Sequence, residues 1–188
     1  MDLLTGNESF DLDGKPIGLK IQDFWRFKYS NIYFLLESIA EFLVAKALGL
    51  YEPHNADWWT LYDIRYRDFR IEVKETSYYH PWNSNGVVSK QRTFGITMAN
   101  SAYENFSSVN KHERQNDIYV FCLNKGNTRE ESNPLNLNNW DFYIVPTSLI
   151  NRHCREQKTI SLGRIKRLGF LPMPYDKIRA EVDRMIGT

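Results

Sequence analysis

Asp63, Glu72 and Lys74 are the residues of this chain whose types and spacing suit chemistry. Leu61 to Tyr66 and Arg70 to Thr76 each alternate apolar and polar side chains with β-branched and aromatic enrichment, and a short polar break at Arg67-Asp68 separates them, which predicts a hairpin. With that turn, position 63 faces position 72, Tyr62 pairs with Val73 and Ile64 with Ile71. The opposite face then collects Asp63, Glu72 and Lys74, and a one-residue slip would disperse them. Cβ atoms of directly opposed residues lie about 4.5–5.5 Å apart, near enough for two carboxylates to share a divalent ion.

Two carboxylates facing each other in a mostly apolar domain resist ionising together, so a cation is needed to compensate. Mg²⁺, for which Mn²⁺ substitutes, takes one or two carboxylates and keeps several waters, one of which becomes a better nucleophile beside a metal and a lysine. The pattern therefore suits phosphodiester hydrolysis, with Asp63 and Glu72 holding the metal and the Val73 carbonyl adding a ligand. Lys74 would orient the water or steady developing phosphate charge. The same three residues also read as an ordinary ion pair on a solvated sheet face, and Glu-x-Lys alone is common by chance.

The elements that must position these groups begin with a helix. Ile32, Leu35, Leu36, Ile39, Ala40, Leu43, Val44, Ala47 and Leu48 recur at three-and-four spacing, with Ser30 or Asn31 placed to cap the helix and Gly49 to end it. Glu37 and Glu41 lie one turn apart beside that stripe, Glu41 on the flank shared with Val44 and Leu48; alone they read as two exposed glutamates. Strands are expected at Thr93–Thr97, Asp117–Leu123 and Trp140–Val145, a short helix after Pro146-Thr147, and a last helix from Tyr175 to Met185. Loops are expected at Asn83–Gly86 and from Lys125 to Asn139. The order predicts an α/β (α+β) fold: a mixed central sheet flanked by helices, one domain over residues 1–188 with an irregular N-terminal segment.

Composition limits the alternatives. The 188 residues are 42% hydrophobic and 25% charged, ordinary for a globular chain, and no apolar run approaches the length of a membrane span. The opening residues lack a secretory signal, and Cys122 and Cys154 are too few for a disulfide framework and lack ligand-spaced partners for zinc, so a cytoplasmic protein is expected. The +1 total hides a gradient: −4 over residues 1–57, 0 over 58–149 and +5 over 150–188. The basic third holds Arg152, Arg155, Lys158, Arg164, Lys166 and Arg167 with His153, which suits a phosphate backbone or an ordinary solvated face. Tyr78, Trp82, Lys90, Gln91 and Arg92, close after the hairpin, are weaker candidates for contacts to nucleic acid; the aromatics suit stacking on bases and core packing alike.

The helix with Glu41, the strand Leu61-Tyr62-Asp63-Ile64 and the adjacent Glu72-Val73-Lys74 resemble the PD-(D/E)xK nuclease superfamily, the restriction-endonuclease-like fold. The run Ala-Glu-Phe-Leu-Val-Ala-Lys-Ala-Leu-Gly-Leu, the Trp58-Trp59 pair, Trp82 and Trp140-Asp-Phe-Tyr look more closely like one bacterial group within it. The resemblance spans most of residues 30–170 and adds Glu41 to the metal-binding set. Two departures stand out: no proline precedes Asp63, and Glu75 follows Lys74 where a small residue is expected. Strand alternation sends Glu75 to the opposite face. Asp57 and Asp68 are rivals for the metal-binding aspartate, outside the expected strand and in its turn respectively.

What the resemblance implies is a Mg²⁺-dependent endonuclease cutting DNA in a restriction, defence or repair setting, plausibly as a homodimer. The competing expectation is a catalytically inactive nucleic-acid- or protein-binding module on the same fold. A hydrolase of small phosphorylated molecules fits the same chemistry.

Overall fold

The computed structural model describes residues 4–50, 62–79, 92–98, 102–104, 107–109 and 113–187. The chain divides into a small unit up to Leu35 and a larger unit from Leu36 onward.

The small unit is ordered, not irregular as expected. Strands β1 (Ser9–Leu12) and β2 (Lys15–Lys20) pair antiparallel, and α1 (Ile21–Tyr29) follows. Asp13 and Gly14 turn the hairpin at φ 52° and 73°, the backbone that favours Asp-Gly in a two-residue loop. That dipeptide, flanked by Phe10 and Leu12 before and by Ile17 and Leu19 after, was the available sequence signal. Every residue of both strands is exposed, so no burial pattern reinforced it.

The small unit ends in a 3₁₀ turn over Ile32–Leu35, entered where Asn31 Oδ1 accepts the Tyr33 amide, and the larger unit opens with α2 (Leu36–Ala47). Gly49, at φ 81°, ends the helix as expected. The strands β3 (Ile64–Tyr66) and β4 (Phe69–Ser77) form the hairpin. Arg67 takes the first loop position at φ 55°, costly for a side chain there, and its guanidinium lies 3.3 Å from Asp183 and over the Tyr66 ring. Next come β5 (Thr93–Gly95), the antiparallel pair β6 (Ala102–Glu104) and β7 (Ser107–Val109), β8 (Ile118–Asn124) and β9 (Trp140–Pro146). The chain closes with α3 (Thr147–Cys154), β10 (Thr159–Ser161), α4 (Leu162–Arg167), a 3₁₀ turn at Tyr175–Lys177 and α5 (Ile178–Met185).

The central sheet has the order β3-β4-β8-β9, with β4 and β8 parallel and the other neighbours antiparallel. All seven residues of β8 are buried, because an inner strand covered on both faces needs a continuous apolar run. Strand alternation sorts the core into two layers. Ile71, Val73, Val120, Cys122, Phe142 and Ile144 pack with α2 and α5, whereas Tyr119, Phe121, Leu123, Tyr143 and Val145 pack with α3, β10, α4 and β5. The result is a mixed α/β unit with helices on both faces of its sheet. The 3₁₀ turn and α5 together span the expected last helix. Absent from the sequence expectation were β10 and α4, too short to display a period. Among the described residues no helix is long and apolar enough to cross a membrane.

Candidate active site

The hairpin register agrees with expectation at its centre, where Ile64 pairs with Ile71. Beyond that point the ladder departs from it. The Asp63 amide donates to the Ile71 carbonyl at 3.1 Å, the residue opposite Ile64, so Asp63 does not continue the ladder to a paired position across from Glu72. Tyr62 likewise lies outside the paired strand, and Leu61 lies outside the described residues. Instead, Asp63 Oδ2 accepts the Val73 amide at 2.7 Å, which fixes the carboxylate at β4 between Glu72 and Lys74. Val73 thus enters the site through its N–H.

Glu72 and Lys74, two residues apart on β4, project to one face and meet, with Lys74 Nζ 2.7 Å from Glu72 Oε1. On β8 the same face carries Tyr119 opposite Glu72 and Phe121 opposite Lys74. Lys74 Nζ also lies 3.8 Å from Glu37 Oε1, so the more exposed glutamate of α2 joins the cluster. Glu41, one turn further along, is half-buried. Ala40, Leu43 and Val44 hold this helix against the sheet and thereby set where both glutamates fall.

The electrostatics follow from several acids around one lysine. Burial pushes Glu41 up to about 7, and the charges of Asp63, Glu37 and Glu72 add to the rise against the opposing pull of Lys74. Burial and then Asp63 push Glu72 up to about 6. Asp63 is also raised by burial, which outweighs Lys74 and the Val73 amide. Burial alone would lower Lys74, but Glu72, Asp63 and Glu37 outweigh it and hold the ammonium above its usual value. Glu75 falls on the Val73 face by alternation, as expected, and its carboxylate accepts the Ser77 hydroxyl. Burial pushes it up to about 7, with Glu37 contributing.

Oxygen donors with surplus negative charge are the chemistry a hard divalent cation requires. Among the described residues no three His, Cys, Asp or Glu side chains converge as a ready metal-binding group.

The structure brings Asp63, Glu72 and Lys74 together at β4 with Glu37 beside Lys74, and their charges reach the half-buried Glu41 on α2. Glu37 is the addition that sequence reasoning left as an exposed glutamate; its one-turn spacing from Glu41 was the signal. Tyr119 is another: burial and then Glu72 push its phenol up to about 12, and only strand pairing reveals the contact. Of the weaker candidates, Arg92 is corrected from a surface contact to a buried residue. It is 5% exposed, donates to the Tyr78 carbonyl at 3.2 Å and lies over the Tyr78 ring, so its guanidinium serves local packing. Trp82, Lys90 and Gln91 lie outside the described residues, as do Asp57, Trp58 and Trp59. Asp68 is confirmed in the turn, 3.8 Å from Arg65.

No protein-family model, curated protein or solved structure matches this chain.

Proposed function

We propose that this protein is a divalent-metal-dependent nuclease that hydrolyses DNA phosphodiester bonds, built on a restriction-endonuclease-like sheet. The observation that carries the reading is the convergence on β4 of Glu72 and Lys74, with Asp63 bonded to the amide between them. Asp63 and Glu72 would hold Mg²⁺ or Mn²⁺ as the two carboxylates of a largely hydrated ion; the Val73 carbonyl and, by the resemblance, Glu41 would be further ligands. The bound cation would supply Lewis-acid polarisation of the phosphate and a lowered pKa for a water.

The chain's own residues have distinct tasks. Lys74 is held protonated by its acidic neighbours, so it acts as a fixed positive charge and N–H donor toward a phosphate oxygen or the attacking water, not as a base. Glu41 and Glu72 titrate near neutrality, which lets them exchange a proton for a cation at modest cost. The Val73 amide keeps Asp63 from swinging away from β4. Cutting both strands of a duplex calls for two such sites, which a homodimer provides.

The second reading is a catalytically inactive binding module, favoured by the absence of a three-ligand group among the described residues. A cleavage screen over duplex, single-stranded, branched and modified DNA, and RNA, with Mg²⁺ or Mn²⁺ separates the two. Metal-dependent cleavage of DNA that is lost in Lys74→Ala is expected; undiminished cleavage in that variant overturns the site. DNA binding without cutting of any form assigns the module.

A further inference from the structure

We propose that the segment from α3 through β10 to α4 is the surface that receives the DNA sugar-phosphate backbone; this rests on the nuclease reading and adds where the substrate lies. Its exposed cations outnumber the acids beside them and stand unpaired among the described residues, unlike those of the β3-β4 hairpin and of α5. From Arg65 to Arg70, from Lys177 to Arg184, and at Lys74 and Lys125, each lysine and arginine lies within ion-pair distance of a carboxylate. Arg152, Arg155, Lys158, Lys166 and Arg167 are all exposed and have no acidic partner among the described residues. Glu156 is the single acid between residues 150 and 175. A segment that keeps five exposed cations free in a chain of net charge +1 is suited to exchanging counterions for phosphates.

Two structural features hold this surface in place. Ile150, Cys154, Ile160, Leu162 and Ile165 anchor the segment in the core layer of Tyr119 and Phe121, the sheet face to which Glu72 and Lys74 project. Arg164 Nη2 donates to the His153 carbonyl at 2.6 Å, which ties α4 to the end of α3. At that end Arg155 adopts φ 33° and ψ −114°, a backbone that glycine occupies freely and an arginine only under strain. Unlike Arg67, which is strained in its turn but paired with Asp183, Arg155 has no folded-state partner that compensates the strain. A phosphate of bound DNA would supply that partner.

The test is fluorescence anisotropy with a labelled DNA duplex in EDTA, so that binding is read apart from cleavage. The triple variant Lys158→Ala/Lys166→Ala/Arg167→Ala is expected to bind at least about tenfold more weakly, with a slope of log affinity against log salt shallower by about 2–3 between about 50 and 200 mM salt. Arg155→Gly is expected to raise the thermal midpoint while weakening binding several-fold, a combination that loss of folding cannot produce. Lys177→Ala/Arg179→Ala, which removes paired cations, is expected to leave affinity unchanged. Unchanged affinity and slope in the triple variant, or tighter binding of a matched RNA, overturns the surface while leaving any observed cleavage intact. Binding that depends on these cations without cleavage under any divalent ion retains the surface and overturns the nuclease reading.

Discussion

Asp63 and Val73 are joined by a 2.7 Å hydrogen bond from the Val73 amide to Asp63 Oδ2. The bond attaches the aspartate to β4 where the β3 ladder has already ended. Asp63→Asn retains an acceptor for that amide and should leave the metal-free thermal midpoint near that of the wild type. Asp63→Ala leaves the amide without its partner and should cost about 1–2 kcal/mol. Both variants should lose cleavage, and denaturation curves beside activity assays separate the structural effect from the chemical one.

Among the described residues, Lys74 is the cation within ion-pair distance of both Glu72 and Glu37. Lys74→Ala should lower the single-turnover cleavage rate by about 10²–10³, the usual cost of losing one charged donor at a reacting phosphate. Lys74→Arg keeps the charge but changes its shape and should recover only part of the rate. Equal rates in all three proteins would remove Lys74 from the chemistry.

The carboxylate cluster makes stability depend on pH. Glu41 sits at about 7 in the fold against an ordinary 4.5, so the folded state binds the proton more tightly. Its contribution is fully present below about 4.5 and is lost as pH rises through 7. Glu41→Gln should therefore raise the metal-free midpoint at pH ~8 and change it little near pH ~4.5. Because the side chain is only half-buried, solvent screening reduces the gain to about 1 kcal/mol, or roughly 2–4 °C. Thermal scans at the two pH values check the sign; a larger gain at the acidic value would contradict it.

A divalent cation should relieve the same repulsion. At pH ~8, Mg²⁺ at about 100 times its dissociation constant should stabilise the wild type by about 2.7 kcal/mol. The gain should be small near pH ~5, where protons already occupy Glu41 and Glu72, and small in Glu72→Gln at either pH. Differential scanning fluorimetry with and without Mg²⁺ reads this directly. An identical shift in Glu72→Gln would place the ion elsewhere.

The segment from Lys125 to Asn139 depends on one glycine. A Cβ on Gly126 would lie 2.2 Å from the Ser132 amide nitrogen and 2.3 Å from the Glu131 carbonyl carbon, both backbone. The Asn124 side chain binds the same segment by donating to the Ser132 carbonyl at 3.1 Å. Gly126→Ala should destabilise by about 1–3 kcal/mol, as overpacking does, measured by urea denaturation. A stability equal to wild type would show that the loop yields freely.

Local pattern determined much of this protein. The apolar stripe from Ile32 to Leu48 located α2, alternation located β4, β8 and β9, and the spacing of Asp63, Glu72 and Lys74 singled out a candidate site, because helix and strand periods are written in neighbouring residues. Near neighbours could not reveal what happens where regular pairing stops or where distant segments meet. The departure of Asp63 from the ladder, Glu37 beside Lys74 and Tyr119 beside Glu72 depend on packing between elements far apart in the chain. The burial of Arg92 was hidden for the same reason, since a charged residue near a turn gives no local sign that an aromatic ring will cover it. Residue order thus named the acids and the lysine, and tertiary structure decided their shared environment, because burial and long-range charge set pKa values that no short stretch of sequence contains.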